Sequence, residues 1–79
     1  MAPITYKDKR YTIVFKNEVT EETVVKYMTD VVDAGGRLTQ TYDWFLNGFC
    51  AAIPELHLQL LKSNNEIDYI EPEGLPKRL

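Results

Sequence analysis

Apolar and polar residues alternate along Tyr11-Thr12-Ile13-Val14-Phe15-Lys16, a run rich in β-branched and aromatic side chains. A period of two puts Tyr11, Ile13 and Phe15 on one face and Thr12, Val14 and Lys16 on the other, which predicts a strand. After the turn at Asn17-Glu18 the period changes. Val24, Tyr27, Met28, Val31 and Val32 recur at helical spacing. Thr20 is placed to cap this helix, and Glu21 and Glu22 meet the positive end of its dipole. Val19 before the cap and Val24 inside the helix can form a hydrophobic staple. Gly35-Gly36 ends the helix, because glycine takes the left-handed conformation without a Cβ clash.

Arg37 to Asp43 reads as a second strand with weaker alternation, Leu38 and Tyr42 inward, Thr39 and Thr41 outward. Asp43 to Gly48 connects it to a third, with Asn47-Gly48 as the turn signal. Phe49 to Ile53 is that third strand, with Phe49, Ala51 and Ile53 on one face and Cys50 and Ala52 on the other. Pro54 suits the first turn of a second helix. Its apolar positions are Leu56, Leu60 and Leu61, and it frays at Ser63-Asn64-Asn65. Ile67 to Glu71 is a fourth strand, and residues 1–10 form a frayed lead-in. The order β-α-β-β-α-β predicts an α+β, ferredoxin-like sandwich: a four-stranded antiparallel sheet with two helices on one face. The other face is bare and carries Thr12, Val14, Thr39, Thr41, Cys50 and Ala52. Small side chains without a charge cluster suit docking against another protein.

A length of 79 residues implies a single domain spanning 1–79. A chain of this size buries only about 60% of its unfolded surface, so its margin of stability is thin. With 44% hydrophobic and 27% charged residues the composition is that of a folded chain. A net charge of -3 supplies no basic field for nucleic acid, and the longest apolar runs are too short to cross a bilayer. No charged leader followed by an apolar core is visible. The expectation is a cytoplasmic protein, monomeric when free, with a mature secreted chain as the alternative. The single cysteine, Cys50, forms no intramolecular disulfide and fits a reducing compartment.

Candidate chemistry is sparse. His57, the one histidine, has no Cys, Asp or second His at ligand spacing and reads as a helix residue, so no metal is expected. Cys50 has no basic neighbour to lower its pKa and reads as a small apolar filler of the sheet. Trp44 and Phe45 read as an anchor in or at the edge of the core, with a ligand platform as the lesser alternative. Gly35-Gly36 follows a helix, so it is a stop and not a phosphate loop. RNA-binding domains of this fold need basic character and exposed sheet aromatics, and the bare face as read here has none. No carboxylate pair with a His or Ser partner suggests catalysis. The expectation is no enzyme and no cofactor. Glu71 and Glu73 bracket Pro72 at the end of the fourth strand. They are either solvated charge or two carboxylates able to cap helix N-termini on a partner. By pattern alone, Leu75 to Leu79 form a loose terminus.

Tyr-Thr-Ile-Val-Phe-Lys at 11–16, Ala34-Gly35-Gly36, Asn47-Gly48-Phe49 with Ala51 and Ala52, and Tyr69-Ile70-Glu71-Pro72-Glu73 recur in this order and spacing in subtilisin propeptides. Over Tyr11 to Leu79 the chain resembles the subtilisin propeptide-like proteinase inhibitors, peptidase inhibitor family I-nine. The resemblance implies the same sandwich fold and a partner, a subtilisin-like serine protease. It implies that the bare sheet face packs on two parallel surface helices of that enzyme. Family members carry Glu-Glu-Asp where this chain has Glu71-Pro72-Glu73; the first and third carboxylates cap those helices, a role that falls to Glu71 and Glu73. After Leu75 the tail would lie in the substrate cleft. Leu79 would enter the primary specificity pocket, Arg78 and Lys77 would lie along the cleft, and Pro76 would face the distal apolar pocket. That pocket usually takes Val or Ala, and proline cannot donate a ladder hydrogen bond, so Pro76 is the poorest match. Ending at Leu79, the chain would resemble a bound product.

The reading is therefore a reversible inhibitor of subtilisin-like proteases, with assistance to their folding as a chaperone as a secondary expectation. Alternatives are a detached propeptide, acting as chaperone and temporary inhibitor, or a protein-interaction module without protease inhibition. Met1 and the missing leader favour the free inhibitor. A further register, in which a kexin-type enzyme reads Lys77-Arg78 and removes Leu79, is a minor variant.

Overall fold

A computed structural model describes residues 9–73. The elements are β1 (Arg10–Phe15), α1 (Glu21–Asp33), β2 (Arg37–Asp43), β3 (Gly48–Ala52), α2 (Glu55–Lys62) and β4 (Ile67–Pro72). They form one four-stranded sheet in the order β2-β3-β1-β4, all pairs antiparallel. This is the α+β, ferredoxin-like arrangement that the periodicity predicts. β1 starts at Arg10, and the carbonyl of Lys9 already accepts the N–H of Ile53. The lead-in therefore stops short of these two residues, and residues 1–8 lie outside the described part. At the other end, β4 continues through Pro72, and the N–H of Glu73 donates to the Arg10 carbonyl at 2.8 Å. Pro72 thus extends the fourth strand one residue past the expected Glu71, and the Glu73 backbone is still bonded to β1.

Helix α1 begins as its sequence dictates. The Thr20 hydroxyl accepts the N–H of Thr23 at 3.2 Å, satisfying one of the free donors of the first turn. It ends at Ala34 in a Schellman arrangement: Gly35 N–H donates to the Val32 carbonyl and Gly36 N–H to that of Val31. Gly35 sits at φ 101°, which only glycine adopts without strain. Helix α2 starts after Pro54, which is the N-cap residue and not the first helical one. With ψ at 146° its backbone is still extended, and it contributes no side-chain cap bond.

The core lies between the helices and one sheet face. Ile13, Phe15, Phe49 and Ala51 from the sheet meet Val24, Met28 and Val31 from α1 and Leu58 and Leu61 from α2. The Phe15 ring lies 5.1 Å from that of Tyr27 and 6.1 Å from that of Phe49, within the range of favourable aromatic pairs. Val19 and Val24, the two staple positions, are both buried here. Tyr27 donates its hydroxyl to Glu66 Oε1 at 2.6 Å and accepts from Asn64, tying α1 to the segment between α2 and β4.

The helix stripes differ from expectation at three leucine and valine positions. Leu56 is 82% and Leu60 66% exposed, while Leu58 and Leu61 are buried. Val32 is also exposed. In a helix of 8 residues both apolar sets have helical spacing, so periodicity alone cannot choose between them. The outward pair, with Ala34, Pro54, Glu55 and His57, lines an open groove of about 440 Å³.

Candidate functional site

The open face of the sheet follows from strand register. Residues paired across antiparallel strands share a face, so the pairings lay out three rows. One row reads Arg37, Ala52, Arg10, with Glu73 reaching Arg10 through its N–H. The next reads Gln40, Cys50, Thr12, Glu71. The third reads Asp43, Gly48, Val14, Tyr69. The floor of this face is small and tightly closed: Val14 and Cys50 are each 7% and Ala52 3% exposed. Gly48 has to be glycine, since a Cβ there would lie 2.0 Å from the Ile13 carbonyl oxygen.

Three bulges shape this surface. Between Phe15↔Ile67 and Val14↔Tyr69, β4 carries one residue more than β1, namely Asp68. Ile67 and Ile70 can therefore both face the core although they are an odd number of positions apart, and Tyr69 is turned to the open face. On β2 one extra residue lies between Leu38 and Gln40 and another between Gln40 and Asp43. Gln40 accordingly stands opposite Cys50, while Leu38 and Tyr42 pack against the core. The expected outward set on β2, Thr39 and Thr41, is corrected accordingly: both are exposed, but the residue paired across to Cys50 is Gln40. Two further expectations about this face change. It carries charge, with Arg10, Arg37, Asp43, Glu71 and Glu73 around the small floor. It also carries an aromatic ring, Tyr69, 48% exposed. No sequence signal marks the bulges, and without them neither Gln40 nor Tyr69 could be assigned.

Glu71 and Glu73 lie two residues apart at the end of edge strand β4, on the open side. Strand geometry separates them by about 7 Å. Glu71 is exposed and paired with Thr12. Glu73 is half-buried and acts on Cys50. The Cys50 thiol is pushed above its ordinary pKa, first by burial and further by the charges of Glu73 and Asp43 and a hydrogen bond to Glu73. A contact with Thr12 Oγ1 at 3.3 Å works the other way. A buried thiol held protonated is no nucleophile, which agrees with its reading as a filler. Leu75, Pro76, Lys77, Arg78 and Leu79, the remaining candidate site residues, lie outside the described residues.

Trp44 and Phe45 do not anchor the core. They are 76% and 79% exposed at the tip of the β2–β3 hairpin, followed by the partly exposed Leu46. Their rings stand edge to face, 5.5 Å apart at 82°. Phe15, Phe49 and Tyr27 already fill the core at this end, and a rigid turn carries the tip beyond the sheet. The Asp43 carboxylate accepts the N–H of Phe45 at 2.9 Å, and its carbonyl accepts those of Leu46 and Asn47. Asn47 sits at φ 56°, a conformation asparagine tolerates. Its Nδ2 donates to the carbonyls of Lys16 and Val19, and its Oδ1 accepts the hydroxyl of Tyr42.

His57 is half-buried, and its Nε2 is shielded without a hydrogen-bond partner. Among the described residues no group of three or more His, Cys, Asp or Glu is placed to hold a metal ion. No helix among them is long and apolar enough to cross a membrane.

No protein-family model matches the chain. Over 65 residues it is 29% identical to Uncharacterized protein C338.12 of Schizosaccharomyces pombe, a match covering 82% of this chain and 84% of that one. The similarity spans most of both chains, at a level that leaves the family of this chain open.

Proposed function

We propose that this protein inhibits subtilisin-like serine proteases by docking its open sheet face on the enzyme and laying its C-terminal segment in the substrate cleft. The observation that carries the reading is the position of Glu71 and Glu73. Both stand on the open side of an edge strand, among the last described residues, at a spacing that lets each meet a different helix end. A carboxylate there accepts backbone N–H groups that have no partner within their own helix. The small floor lets a partner's backbone come close. The resemblance to the subtilisin propeptides supplies the rest: the tail beyond Glu73 adds as a strand to the enzyme's substrate-binding edge, held by main-chain hydrogen bonds. Leu79 fills the primary pocket, Arg78 and Lys77 follow the cleft, Pro76 faces the distal apolar pocket, and Leu75 belongs to the link before it. The docked sheet pre-positions the tail and so lowers its ordering cost. A folded inhibitor also resists internal cleavage, so stability contributes to inhibition.

Titration of the intact protein against a subtilisin, with a chromogenic peptide substrate, tests the reading. Inhibition at or below micromolar concentration is expected, and it should weaken when residues 76–79 are removed. Absence of inhibition at micromolar concentration overturns the proposal. Undiminished inhibition by the shortened protein overturns the role of the tail. Destruction of the protein within hours of mixing would identify a temporary inhibitor of the propeptide kind.

A further inference from the structure

We infer that the hairpin tip Trp44–Phe45, together with Tyr69, is the apolar grip of the open face, seated in apolar depressions of the same subtilisin-like protease beside the helix ends that Glu71 and Glu73 cap. The inference rests on the protease reading above and adds to it a second point of attachment, remote from the substrate cleft.

One side of a standard specific interface contributes about 800 Å². The floor of the open face cannot supply it, because Val14, Cys50 and Ala52 are almost closed to solvent already. Away from the helices, where Leu56 and Leu60 are exposed, the accessible aromatic surface lies instead in Trp44 and Phe45 and, at 48% exposure, Tyr69. At roughly 200 Å² per aromatic side chain, these three offer about 400 Å², half of what is needed. Trp and Tyr are also the residue types that dominate binding energy at interfaces.

The row Asp43, Gly48, Val14, Tyr69 runs across all four strands, and Asp43 is the residue from which the tip springs. Asp43 and Tyr69 therefore stand at opposite ends of one row, about 14 Å apart by strand spacing, with the closed floor between them and the tip continuing from Asp43. Bonds from the Asp43 and Asn47 side chains and backbone fix the turn before any partner arrives, so little conformational freedom remains to be lost on binding. The charge around the face completes the match. Asp43, Glu71 and Glu73 suit the positive ends of helices, with Arg10 and Arg37 confined to the row at the other end of the floor from Asp43 and Tyr69, and a net charge of -3 opposes an anionic bilayer as the seat of the aromatic tip.

Trp44 is the chain's single tryptophan, so a fluorine label placed there by 5-fluorotryptophan incorporation reports on the tip alone. The labelled protein is mixed with a subtilisin whose nucleophilic serine is replaced by alanine, and separately with phosphatidylcholine vesicles. A shifted, broadened resonance saturating at one equivalent of protease is expected. A Trp44→Ala/Phe45→Ala variant should inhibit active subtilisin about 30-fold less well, or weaker still, with unchanged thermal unfolding because both side chains are exposed. If the unmodified protein inhibits while the resonance stays in place and the variant inhibits equally well, the inference fails and the protease reading stands. If the unmodified protein does not inhibit, the protease reading fails and takes the inference with it. A resonance that moves with vesicles or with the protein's own concentration, and not with protease, also overturns it.

Discussion

The two faces of the one sheet are built from alternate residues of the same strands, yet their composition is opposite. Ile13, Phe15 and Phe49 face the helices and bury large side chains completely. One residue along, Val14, Gly48 and Cys50 form a floor with little to offer a core. The apolar bulk missing there reappears outside, at Trp44, Phe45 and Tyr69. In a chain of 79 residues, placing that much aromatic surface in solvent forgoes core that a small domain needs. Under the proposed function, stability and recognition fall to different faces, and substitutions on each should register in different measurements.

The largest effect is expected on the covered face. Phe49→Ala should destabilise the fold by about 3–5 kcal/mol, since the site lies between Phe15 and the helices and can collapse only partly. That is a large share of the stability of a small domain, and urea unfolding would read it directly. A loss under about 1 kcal/mol would show that the aromatic cluster is not what holds the sandwich together. Asn47→Ala should follow, at about 2–3 kcal/mol. It removes three side-chain hydrogen bonds and leaves a residue ill suited to φ 56°. Asn47 sits where the faces meet, so this variant should also loosen the tip, visible as faster amide exchange at Phe45 and Leu46.

Fold and site were not equally legible in the sequence. Alternation in Tyr11 to Phe15 and Phe49 to Ile53, the Thr20 cap and the Gly35-Gly36 stop each express a local rule, and together they fix the element order and hence the sheet. The open face depends on register, and register here passes through bulges at Asp68 and within β2 that no residue type announces. Tyr69 was therefore not assignable to this face by alternation. Trp44 and Phe45 failed for another reason. Large aromatic residues are usually sheltered, and their exposure is decided by the turn that Asp43 and Asn47 build. Glu71 and Glu73 were legible as a pair because two residues along a strand return to the same face.

On the open face, Glu71→Ala and Glu73→Ala should each weaken protease binding by about 0.5–2 kcal/mol, the usual range for a lost helix cap. Neither should shift the urea midpoint at neutral pH by more than a few tenths of a molar unit, as surface changes rarely do more. Destabilisation as large as the loss of binding would mean that the carboxylates serve the fold, and the separation of the two faces would fail there.

The smallest effect distinguishes the faces by pH. Burial, and then the charges of Glu73 and Asp43, push Cys50 up; burial and then Glu55 push Tyr11 up; the hydrogen bond to Glu66 pushes Tyr27 up. In all three the folded protein holds its proton more tightly than the unfolded chain. Their contribution to stability is therefore complete at neutral pH and is lost as pH rises through the thiol and then the phenol range, above about pH 9. The urea midpoint should fall from pH 7 to pH 10.5. In a Cys50→Ala variant the earliest part of that fall should disappear, leaving the later part due to Tyr11 and Tyr27. In Glu73→Gln the loss of a charge that raises Cys50 should move the onset of thiol modification to lower pH. An onset that stays in place would mean that Glu73 is turned away from the floor and toward solvent, leaving Glu71 as the one carboxylate positioned over the open face.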